Sequence, residues 1–314
     1  MKTVDLVLPV YNEQEGIEAF HGAMTAVLAP LAESYTFQFI YVLDRCTDNS
    51  FGVLKELAAN CPQIALIQLS SRFGHQMSLV AGIDYSRADV VIMMDCDMQH
   101  PPEAIPLLLQ RYEEGFDVVH AIRSYGRDVG MFKKWMSRLF YVLQNKLSPV
   151  ELPDGAADFR LISRKVATVF QTSIREQNQF LRGLFHWVGF RSSTVRFASK
   201  PRSKGSTKYD LPRLIAFSIS GILAFSKVPL RLAALLGLGL SCVSILYGAW
   251  LVLTFFTRGD LPPGYTSSIV ITLFLGGLQL TVLGVLGEYL SSVFDEAKNR
   301  PLYIIEEIVR ATDR

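Results

Sequence analysis

Two aspartates, Asp95 and Asp97, directly follow an apolar run and are the clearest candidates for chemistry in the sequence. The run from Val90 to Met94 is typical of a buried strand, and side chains two residues apart in extended chain point the same way. Two neighbouring carboxylates repel each other, and burying one unpaired carboxylate is costly. A divalent cation relieves the repulsion, and oxygen ligands favour Mg²⁺ or Mn²⁺. The pattern therefore predicts a metal site at Asp95 and Asp97, with a solvated turn as the alternative.

Strand-like and helix-like segments alternate along the first hundred residues, and they decide where these acids lie. Apolar runs predict strands at 4–10, 37–43, 64–69 and 90–94. This alternation predicts an α/β fold with a mostly parallel sheet and helices on both faces. Ligands of such sheets bind at the carboxyl ends of the strands. Polar clusters fall at that end of all four predicted strands: Asn12-Glu13, Asp44, Arg72 to His75, and Asp95 to Asp97.

The second part of the chain is apolar. Half of the 314 residues are hydrophobic, and the excess lies after about residue 214. Leu232 to Thr257 and Thr266 to Gly287 carry no charge, and each is long enough to cross a bilayer core of about 30 Å. Two such lengths in succession favour transmembrane helices over the core hairpin of a soluble protein. The shorter apolar stretch LIAFSISGILAFS before them is predicted to lie in the membrane interface.

These features divide the chain into four predicted parts: an α/β domain at 1–210, an interfacial amphipathic helix at 211–231, two transmembrane helices at 232–290 and a cytoplasmic tail at 291–314. Lysine and arginine flank the two spans, so the positive-inside rule places both termini in the cytoplasm. The N-terminus leads directly into a strand pattern and lacks the apolar segment of a signal peptide. We therefore expect a multi-pass protein of the cytoplasmic (inner) membrane whose α/β domain faces the cytoplasm.

Charge and cysteine usage exclude other classes. The formal net charge is only +2, so no global field favours a nucleic-acid partner. The four cysteines form no Cys-x-x-Cys pair and no metal-binding spacing, which is typical of reduced thiols in the cytosol.

Successive stretches of the chain resemble, in order, the motifs of family-two glycosyltransferases: LVLPVYNEQEGI, VLDRCTDNS, FGHQMSLVAGIDYSRADVVIMMDCDMQHPPE, GAADFRLISRKV and RSKGSTKYDLPRL. The closing stretch FDEAKNRPLYIIEEI narrows the resemblance to polyprenyl-phosphate glycosyltransferases, similar to bactoprenol glucosyltransferases and dolichol-phosphate mannose synthases. The resemblance covers about residues 3–308. It implies a GT-A, Rossmann-like fold, a nucleotide-sugar donor and a lipid-phosphate acceptor.

The resemblance also implies site residues. Those implied for the nucleotide-sugar pocket are Pro9, Tyr11, Asn12, Glu13, Asp44 and Asp95. Asp95 and Asp97 match the metal-binding pair of the family, and Asp97 is the better candidate for direct metal ligation. The family often has Asp-Asp-Gly-Ser where this chain has Leu43-Asp44-Arg45-Cys46, so the base contacts depart from the family pattern. Asp48 is expected to cap the helix that follows it.

Asp158 matches the acid that the family places near the sugar, and it is the candidate catalytic group together with Asp97. A structural carboxylate paired with Arg160 or Arg164 is the alternative, and Glu176 is a rival for the place near the sugar. A phosphate monoester has a second pKa of about 6 and is mostly a dianion at neutral pH. Little proton abstraction is then needed, so we expect Asp158 to orient or assist electrostatically, with a general-base role left open.

Cations must offset the repulsion between an anionic donor and an anionic acceptor. The candidates for binding the lipid phosphate are Arg123, Arg127, Arg202, Lys204 and Ser206. A juxtamembrane basic stretch also serves as a topology signal and attracts anionic lipid. His75 is either a donor to phosphate or a packed residue. No role is predicted for His100, His120 or His186.

Together these features predict an inverting, metal-dependent transfer of a hexose, glucose from UDP-glucose, to a polyprenyl phosphate. The alternatives are mannosyl transfer from GDP-mannose and a non-catalytic membrane subunit of a lipid-sugar transporter. A processive polysaccharide synthase is disfavoured because the stretch from Gln179 to Gly183 lacks the tryptophan of the Gln-x-x-Arg-Trp signature. We expect a homo-oligomer, with a tetramer among the candidate forms, and a separate flippase, since two spans offer no sugar channel.

Overall fold

The structure is a computed structural model, and it describes residues 1–124, 156–177, 179–198, 226–258 and 264–310. The described residues form two units. One contains a sheet with its helices, and the other is the segment Phe225–Asn299 with two long helices.

The strands are β1 (Lys2–Val10), β2 (Tyr35–Leu43), β3 (Ile64–Leu69), β4 (Val90–Met93), β5 (Val118–Ser124), β6 (Ala156–Ser163), β7 (Ser192–Ala198) and β8 (Ile305–Arg310). The helices are α1 (Ile17–Leu28), α2 (Ser50–Asn60), α3 (His75–Tyr85), α4 (Ile105–Glu113), α5 (Arg164–Thr172), α6 (Leu181–Trp187), α7 (Val228–Arg258) and α8 (Tyr265–Ala297). Two short 3₁₀ turns, Ala29–Leu31 and Pro102–Ala104, adjoin α1 and α4.

The strands form one mixed sheet in the order β7-β5-β6-β4-β1-β2-β3-β8. β1 pairs in parallel with β2 and β4, β2 pairs in parallel with β3, and β5 with β7. β6 and β8 pair with their neighbours in antiparallel register. The four strands predicted for the first hundred residues are all present. The mostly parallel α/β fold is therefore confirmed, and the carboxyl ends of β1 to β4 meet at one edge.

Alternation along β1 shows how the helices cover both faces of the sheet. Leu6 and Leu8 are fully buried in a core cluster with Phe20 and Met24 of α1. Val7 points to the opposite face, because neighbouring residues of a strand alternate. There it meets α3, where a Cβ added at Gly82 would lie 2.2 Å from a Val7 methyl group. Only glycine permits this approach, and α3 in turn carries His75 at its first turn.

The second unit contains α7 and α8, of 31 and 33 residues. Segments Val228–Trp250 and Phe274–Ala297 within them are long and apolar enough to cross a membrane, judged by length and composition. Their side chains are almost entirely exposed, unlike those of a buried core hairpin. Most of the interfacial helix predicted at 211–231 lies outside the described residues.

The chain returns to the sheet after α8. β8 pairs with β3, with Leu66 opposite Val309, and is the last strand at that edge. The predicted division placed a separate cytoplasmic tail at 291–314, whereas the structure has α8 running to Ala297 and Ile305–Arg310 forming a strand of the first unit. An edge strand presents unpaired N–H and C=O groups, and β8 satisfies those of β3.

Candidate active site

The loops that follow β1, β2 and β3 enclose a cavity of about 150 Å³ at the carboxyl edge of the sheet. Pro9, Tyr11 and Asp44, three of the residues predicted for the nucleotide-sugar pocket, line this cavity. Arg72 and His75 line it as well, and the guanidinium of Arg72 lies 4.1 Å from the centre of the Tyr11 ring. The cavity therefore combines an aromatic wall with cationic side chains.

Asp44 connects two of these loops. Its carboxylate accepts the backbone N–H of Phe73 at 2.7 Å and that of Gly74 at 3.0 Å. Gly74 precedes α3 with a φ of 93°, a left-handed value that favours glycine. The carboxylate is almost fully buried, so two hydrogen bonds from backbone N–H groups compensate for its lost hydration. Asp44 thereby fixes the entry into α3.

Asn12 and Asp48 hold the neighbouring loops together. The amide of Asn12 accepts the N–H of Thr47 at 2.8 Å and donates to the Thr47 hydroxyl at 2.9 Å. The N–H of Glu13 donates to the hydroxyl of Ser50 at 3.0 Å. Asp48 accepts the N–H of Ser50, the first residue of α2, at 3.0 Å, although the residue at the N-cap position is Asn49. These contacts link the polar loop after β1 to the polar loop after β2.

Asp95 and Asp97 lie on a tight loop directly after β4, which we call the acid loop. Cys96 points into the core and is buried, so Asp95 and Asp97, its neighbours on either side, lie on the open side of the loop. Asp97 accepts the N–H of Gln99 at 3.0 Å, and Met98 takes a left-handed φ of 61°. The loop therefore turns back on itself immediately after the acids.

His100 supports the acid loop through a hydrogen bond to its backbone. The N–H of Asp95 donates to Nδ1 of His100 at 3.0 Å, and the imidazole is packed against the rings of Phe159 and Phe197. Burial lowers the pKa of His100, which keeps the ring neutral. Because Nδ1 accepts, the ring proton lies on Nε2. The sequence suggested no role for His100, and the structure makes it the support of Asp95.

Replacing His100 tests this support. Asparagine places an acceptor oxygen near the position of Nδ1, whereas leucine fills the space without an acceptor and leaves the N–H of Asp95 without this partner. We expect His100→Leu to weaken Mn²⁺ binding by about tenfold, because losing a partner that orients a metal ligand typically costs about 10- to 100-fold in metal affinity. His100→Asn should stay within about threefold of wild type. Electron paramagnetic resonance of bound Mn²⁺ measures both, and equal losses in the two variants would contradict the role of the acceptor.

The donor set of the acid loop suits a hard divalent cation. Among the described residues no group of three or more His, Cys, Asp or Glu side chains is arranged to hold a metal ion. Mg²⁺ is usually bound by one or two carboxylates together with substrate phosphates and water, so a third protein ligand is not needed. The Asp95 side chain is 34 % exposed and can reach an incoming ligand. Asp95 and Asp97 therefore fit a metal that arrives with a phosphate ligand.

Three basic side chains lie against Asp158: Arg160 on β6, Arg182 on α6 and His75 on α3. Together with Asp158 they form what we call the Asp158 cluster. Arg182 binds Asp158 through two parallel hydrogen bonds, Nε to Oδ1 at 2.9 Å and Nη2 to Oδ2 at 2.8 Å. Arg160 donates to Oδ1 at 3.1 Å, and Nε2 of His75 lies 3.6 Å from Oδ2. Asp158 therefore pairs with Arg160, as the structural alternative supposed, and with Arg182 as well, and its role in the reaction stays a prediction. Arg164 instead contacts the carbonyl of Ser86.

The charges of this cluster fix its protonation. Burial raises the pKa of Asp158, but Arg182 and His75 lower it by more, and it lies well below its usual range. Burial lowers the pKa of His75, but the carboxylates of Asp95 and Asp158 raise it by more, to about 9. His75 lies 3.5 Å from Asp95 and therefore connects the acid loop with the Asp158 cluster. One carboxylate among three cations leaves this side of the site positively charged.

Two stacked histidines lie behind the cluster. The rings of His120 and His186 are 4.1 Å apart and nearly parallel. Burial and the nearby charge of Arg160 lower the pKa of both rings, that of His186 to about 4. Both are therefore neutral at physiological pH, and His120 lies opposite Arg160 in the register of β5 and β6.

The predicted lipid-phosphate residues divide into two groups. Arg123 ends β5 beside the acid loop, where its guanidinium donates to the side chain of Gln99 at 3.2 Å. Arg127, Arg202, Lys204 and Ser206 lie outside the described residues.

Glu176, the rival of Asp158, is an exposed residue after α5. Its neighbour Arg175 pairs with Asp84 near the C-terminal end of α3. Asp84 follows His75 by nine residues, which is roughly 14 Å along a helix. The structure connects Asp158 with the acid loop through His75, while a role for Glu176 stays a prediction.

Sequence reasoning missed two residues that build this site, His100 and Arg182. Arg182 attracted attention only through the incomplete Gln-x-x-Arg-Trp signature. Its signal in the sequence is weak because it reaches Asp158 across 24 residues. The connection becomes visible only when α6 packs against β6.

Comparison with known proteins agrees with this geometry. Residues 5–170 match the family model described as glycosyl transferase family 2, and residues 228–293 match that of the GtrB C-terminal hairpin. An uncharacterized glycosyltransferase of Synechocystis sp. is 37 % identical over 97 % of this chain and 95 % of its own length. The SfII prophage-derived bactoprenol glucosyl transferase of Shigella flexneri is 35 % identical over 97 % of both chains. A prophage bactoprenol glucosyl transferase homolog of Escherichia coli K12 is 34 % identical over 97 % of this chain and 99 % of its own.

The first family model covers just over half of the chain and includes β1 to α4 together with the acid loop and Asp158. The second covers the two long apolar helices. With the sheet order and the acid loop described above, these matches show that the chain is a glycosyltransferase and belongs to glycosyl transferase family 2.

Proposed function

We propose that the protein transfers glucose from UDP-glucose to a polyprenyl phosphate at the cytoplasmic face of the membrane, with inversion at the anomeric carbon. The observation that carries this proposal is the similarity to bactoprenol glucosyl transferases along nearly the whole chain, including the apolar hairpin. The charges of the site support the proposal. The acid loop offers carboxylates for a metal, and the basic side chains of the Asp158 cluster, which offer positive charge for phosphate groups, lie next to it.

The acceptor explains why the site needs no general base. A polyprenyl phosphate is mostly a dianion at neutral pH, since its second pKa is about 6. Asp158 is ionised, and both of its oxygens are engaged by arginines. Asp158 is therefore proposed as a positioning residue that holds Arg182 and His75, and not as the group that removes a proton.

The reaction is a single displacement. An oxygen of the acceptor phosphate forms a bond to C1 of the glucose while the bond from C1 to the diphosphate breaks, and UDP leaves with the electron pair. An α-linked donor then yields a β-linked lipid product. Asp95 and Asp97 would hold Mg²⁺ or Mn²⁺, which supplies Lewis-acid stabilisation of the departing diphosphate when it is bound.

Cations of the chain stabilise the charges that meet in this step. His75 and Arg182 lie on the side of the Asp158 cluster, and Arg123 lies beside the acid loop. Fixed positive groups aimed at developing negative charge lower the barrier because they need no reorganisation. Arg127, Arg202, Lys204 and Ser206 are proposed to complete the binding of the lipid phosphate.

The membrane part of the proposal follows from the two apolar helices. Lys227 precedes the first candidate span and Arg231 lies in its first turn, while Lys298 and Arg300 follow the second span. Positive residues on this side favour a cytoplasmic location of both flanks. We further propose a homo-oligomer and a separate flippase that moves the glycolipid across the membrane.

A donor panel tests the function. Full-length protein in detergent is incubated with undecaprenyl phosphate, Mn²⁺ or Mg²⁺, and in turn UDP-glucose, UDP-galactose, UDP-N-acetylglucosamine and GDP-mannose. We expect UDP-glucose to give a kcat/KM at least about tenfold above the others, because hydrogen-bonded discrimination between hydroxyl positions is worth at least about 1.4 kcal/mol. Mass spectrometry identifies the lipid product, and NMR of its anomeric proton reports the linkage.

Other outcomes identify the alternatives. A preference for GDP-mannose would replace the sugar and keep the enzyme class. Failure to release any nucleoside diphosphate with every donor would favour a non-catalytic membrane subunit. An α-linked product would exclude the single displacement.

A further inference from the structure

The loop after β2 contains an arginine in an unfavourable backbone conformation. Arg45 has a φ of 48°, in the left-handed region that side chains rarely adopt. Glycine adopts this conformation without strain, whereas a side chain makes it costly. Arg45 directly follows Asp44, which lines the nucleotide cavity. Something must therefore hold this residue in place.

The C-terminal segment supplies the partner. Oε2 of Glu306, on β8, pairs with the guanidinium of Arg45 and also accepts from Nε2 of Gln68 at 3.0 Å. The side chains of Arg45 and Glu306 are both about half exposed. The pair thus connects the last strand of the sheet with the loop that carries Asp44.

The same segment holds the loop after β3. The N–H of Ser70 donates to the carbonyl of Ile304 at 2.9 Å. Ser70 begins the loop that carries Arg72 and leads to His75, the first residue of α3. The hydroxyl of Tyr303 donates to Asp84 at 2.7 Å, near the other end of α3. The segment from Tyr303 to Glu306 therefore contacts the supports of both loops that line the cavity.

Asp44 transmits this support to the cavity. Its carboxylate binds the N–H groups of Phe73 and Gly74, which open α3. A shift of the backbone at Arg45 moves Asp44, and with it the entry into α3 and His75. The contacts form one continuous chain from Glu306 through Arg45 and Asp44 to the wall of the pocket.

We propose that Glu306 is a positioning residue for the nucleotide-sugar donor, which acts by holding Arg45 and the loop after β2 in the conformation that forms the pocket. This inference rests on the proposed function, since the pocket is taken to bind the nucleotide of the donor. Glu306 itself does not touch the donor. Its removal should therefore affect donor binding and leave the chemical step and the lipid acceptor unaffected.

A pair of neighbouring variants tests the proposal. Glu306→Ala removes the partner of Arg45, whereas Glu307→Ala alters an exposed glutamate on the opposite face of the same strand. Binding of UDP with Mn²⁺ to full-length protein in detergent is measured by calorimetry. We expect Glu306→Ala to weaken binding by about fivefold, the effect of one exposed ion pair, and Glu307→Ala to match wild type. The donor KM should rise in proportion, while kcat and the acceptor KM change by less than about twofold.

A double variant separates the role of Arg45 from a general loosening of the edge strand. Glycine at position 45 adopts the left-handed conformation without a partner. In an Arg45→Gly background, Glu306→Ala should therefore cause no further loss of UDP binding. Undiminished loss in that background would overturn the proposal, because Glu306 would then act through another contact. A fall in kcat equal to the rise in donor KM would overturn it as well.

Failure of the proposed function gives a different result. If wild-type protein binds neither UDP nor GDP in the presence of Mn²⁺, the nucleotide assignment of the pocket is wrong, and with it the role of Glu306. If wild type binds nucleotide and Glu306→Ala binds it equally well, the proposed function stands and the role of Glu306 is wrong. Melting temperatures of all variants identify any that do not fold.

Discussion

Asp97→Asn is expected to reduce sugar transfer by about a thousandfold, the effect of removing one electrostatic stabiliser of a developing charge. Asparagine keeps the size of the side chain and an acceptor for the N–H of Gln99, which Asp97 accepts at 3.0 Å. It removes the negative charge that a divalent cation requires as a ligand. The variant should therefore fold normally and lose both Mn²⁺ binding and activity. Steady-state release of UDP and Mn²⁺ resonance measure the two losses.

Asp89→Asn is the matched control for this variant. Asp89 precedes β4 at the opposite end of the strand, where it accepts the N–H and hydroxyl of Thr3. It should retain wild-type Mn²⁺ binding and activity. Full metal-dependent transfer by Asp97→Asn would contradict the assignment of the acid loop as the metal site.

Asp158→Asn is expected to destabilise the protein as well as inactivate it. The substitution leaves Arg160, which is almost fully buried, and Arg182 without their shared counter-charge. Breaking a buried ion pair by removing one partner costs about 3 kcal/mol or more, which lowers Tm by about 4 °C or more for a chain of this size. Activity should fall by at least about a hundredfold, because Arg182 and His75 lose the group that orients them. Thermal unfolding and steady-state kinetics measure these effects.

The pH dependence of both effects distinguishes positioning from base catalysis. The pKa of Asp158 is lowered on folding, so its stabilising contribution is present above the unfolded value of about 3.9 and is lost as pH falls through the folded value. The stability difference between wild type and Asp158→Asn should therefore shrink in acid, below about pH 4. It should also shrink as pH rises from about 6.5 to about 9, because Asp158 helps to raise the pKa of His75 and that contribution is lost when His75 deprotonates. The acid limb of kcat/KM should lie near pH 6 in both proteins, because the acceptor phosphate titrates there.

Asp84→Asn is the control for Asp158→Asn. Asp84 also pairs with an arginine, Arg175, but the arginine is 40 % exposed, so the pair contributes less to stability. A loss of stability in Asp84→Asn as large as that in Asp158→Asn would contradict the idea that breaking the buried pair costs more than breaking the exposed one. Disappearance of the acid limb near pH 6 in Asp158→Asn would restore the general-base role.

The sequence predicted the parts of the site that depend on local pattern. A strand followed by Asp95 and Asp97 is visible in consecutive residues, and the alternation of strands with helices places their carboxyl ends at one edge. His100 is only five residues from Asp95, but its role depends on the left-handed turn at Met98 and on burial between two phenylalanines. No local pattern signals either of these conditions.

The C-terminal segment shows a second limit. Ile304, Ile305 and Ile308 have the three- and four-residue spacing of an amphipathic helix, and the sequence predicted only a tail at 291–314, with no strand in it. The structure places Ile305 and Ile308 in a strand, because the edge of β3 offers backbone hydrogen bonds to the returning chain. Such pairing is decided by a partner more than two hundred residues away, as the contact between Gln68 and Glu306 across 238 residues illustrates.

The late position of β8 in the chain also orders the events of biosynthesis. β1 to β7 leave the ribosome before α7 and α8, whereas β8 follows them, so the sheet cannot be completed until the apolar hairpin has been synthesised. Pairing across so many residues is slow to form, because a long loop must close before the contact forms. The nascent protein therefore passes through a stage with both apolar helices made and the β3 edge still open. The last step of its folding therefore comes after both apolar helices are complete.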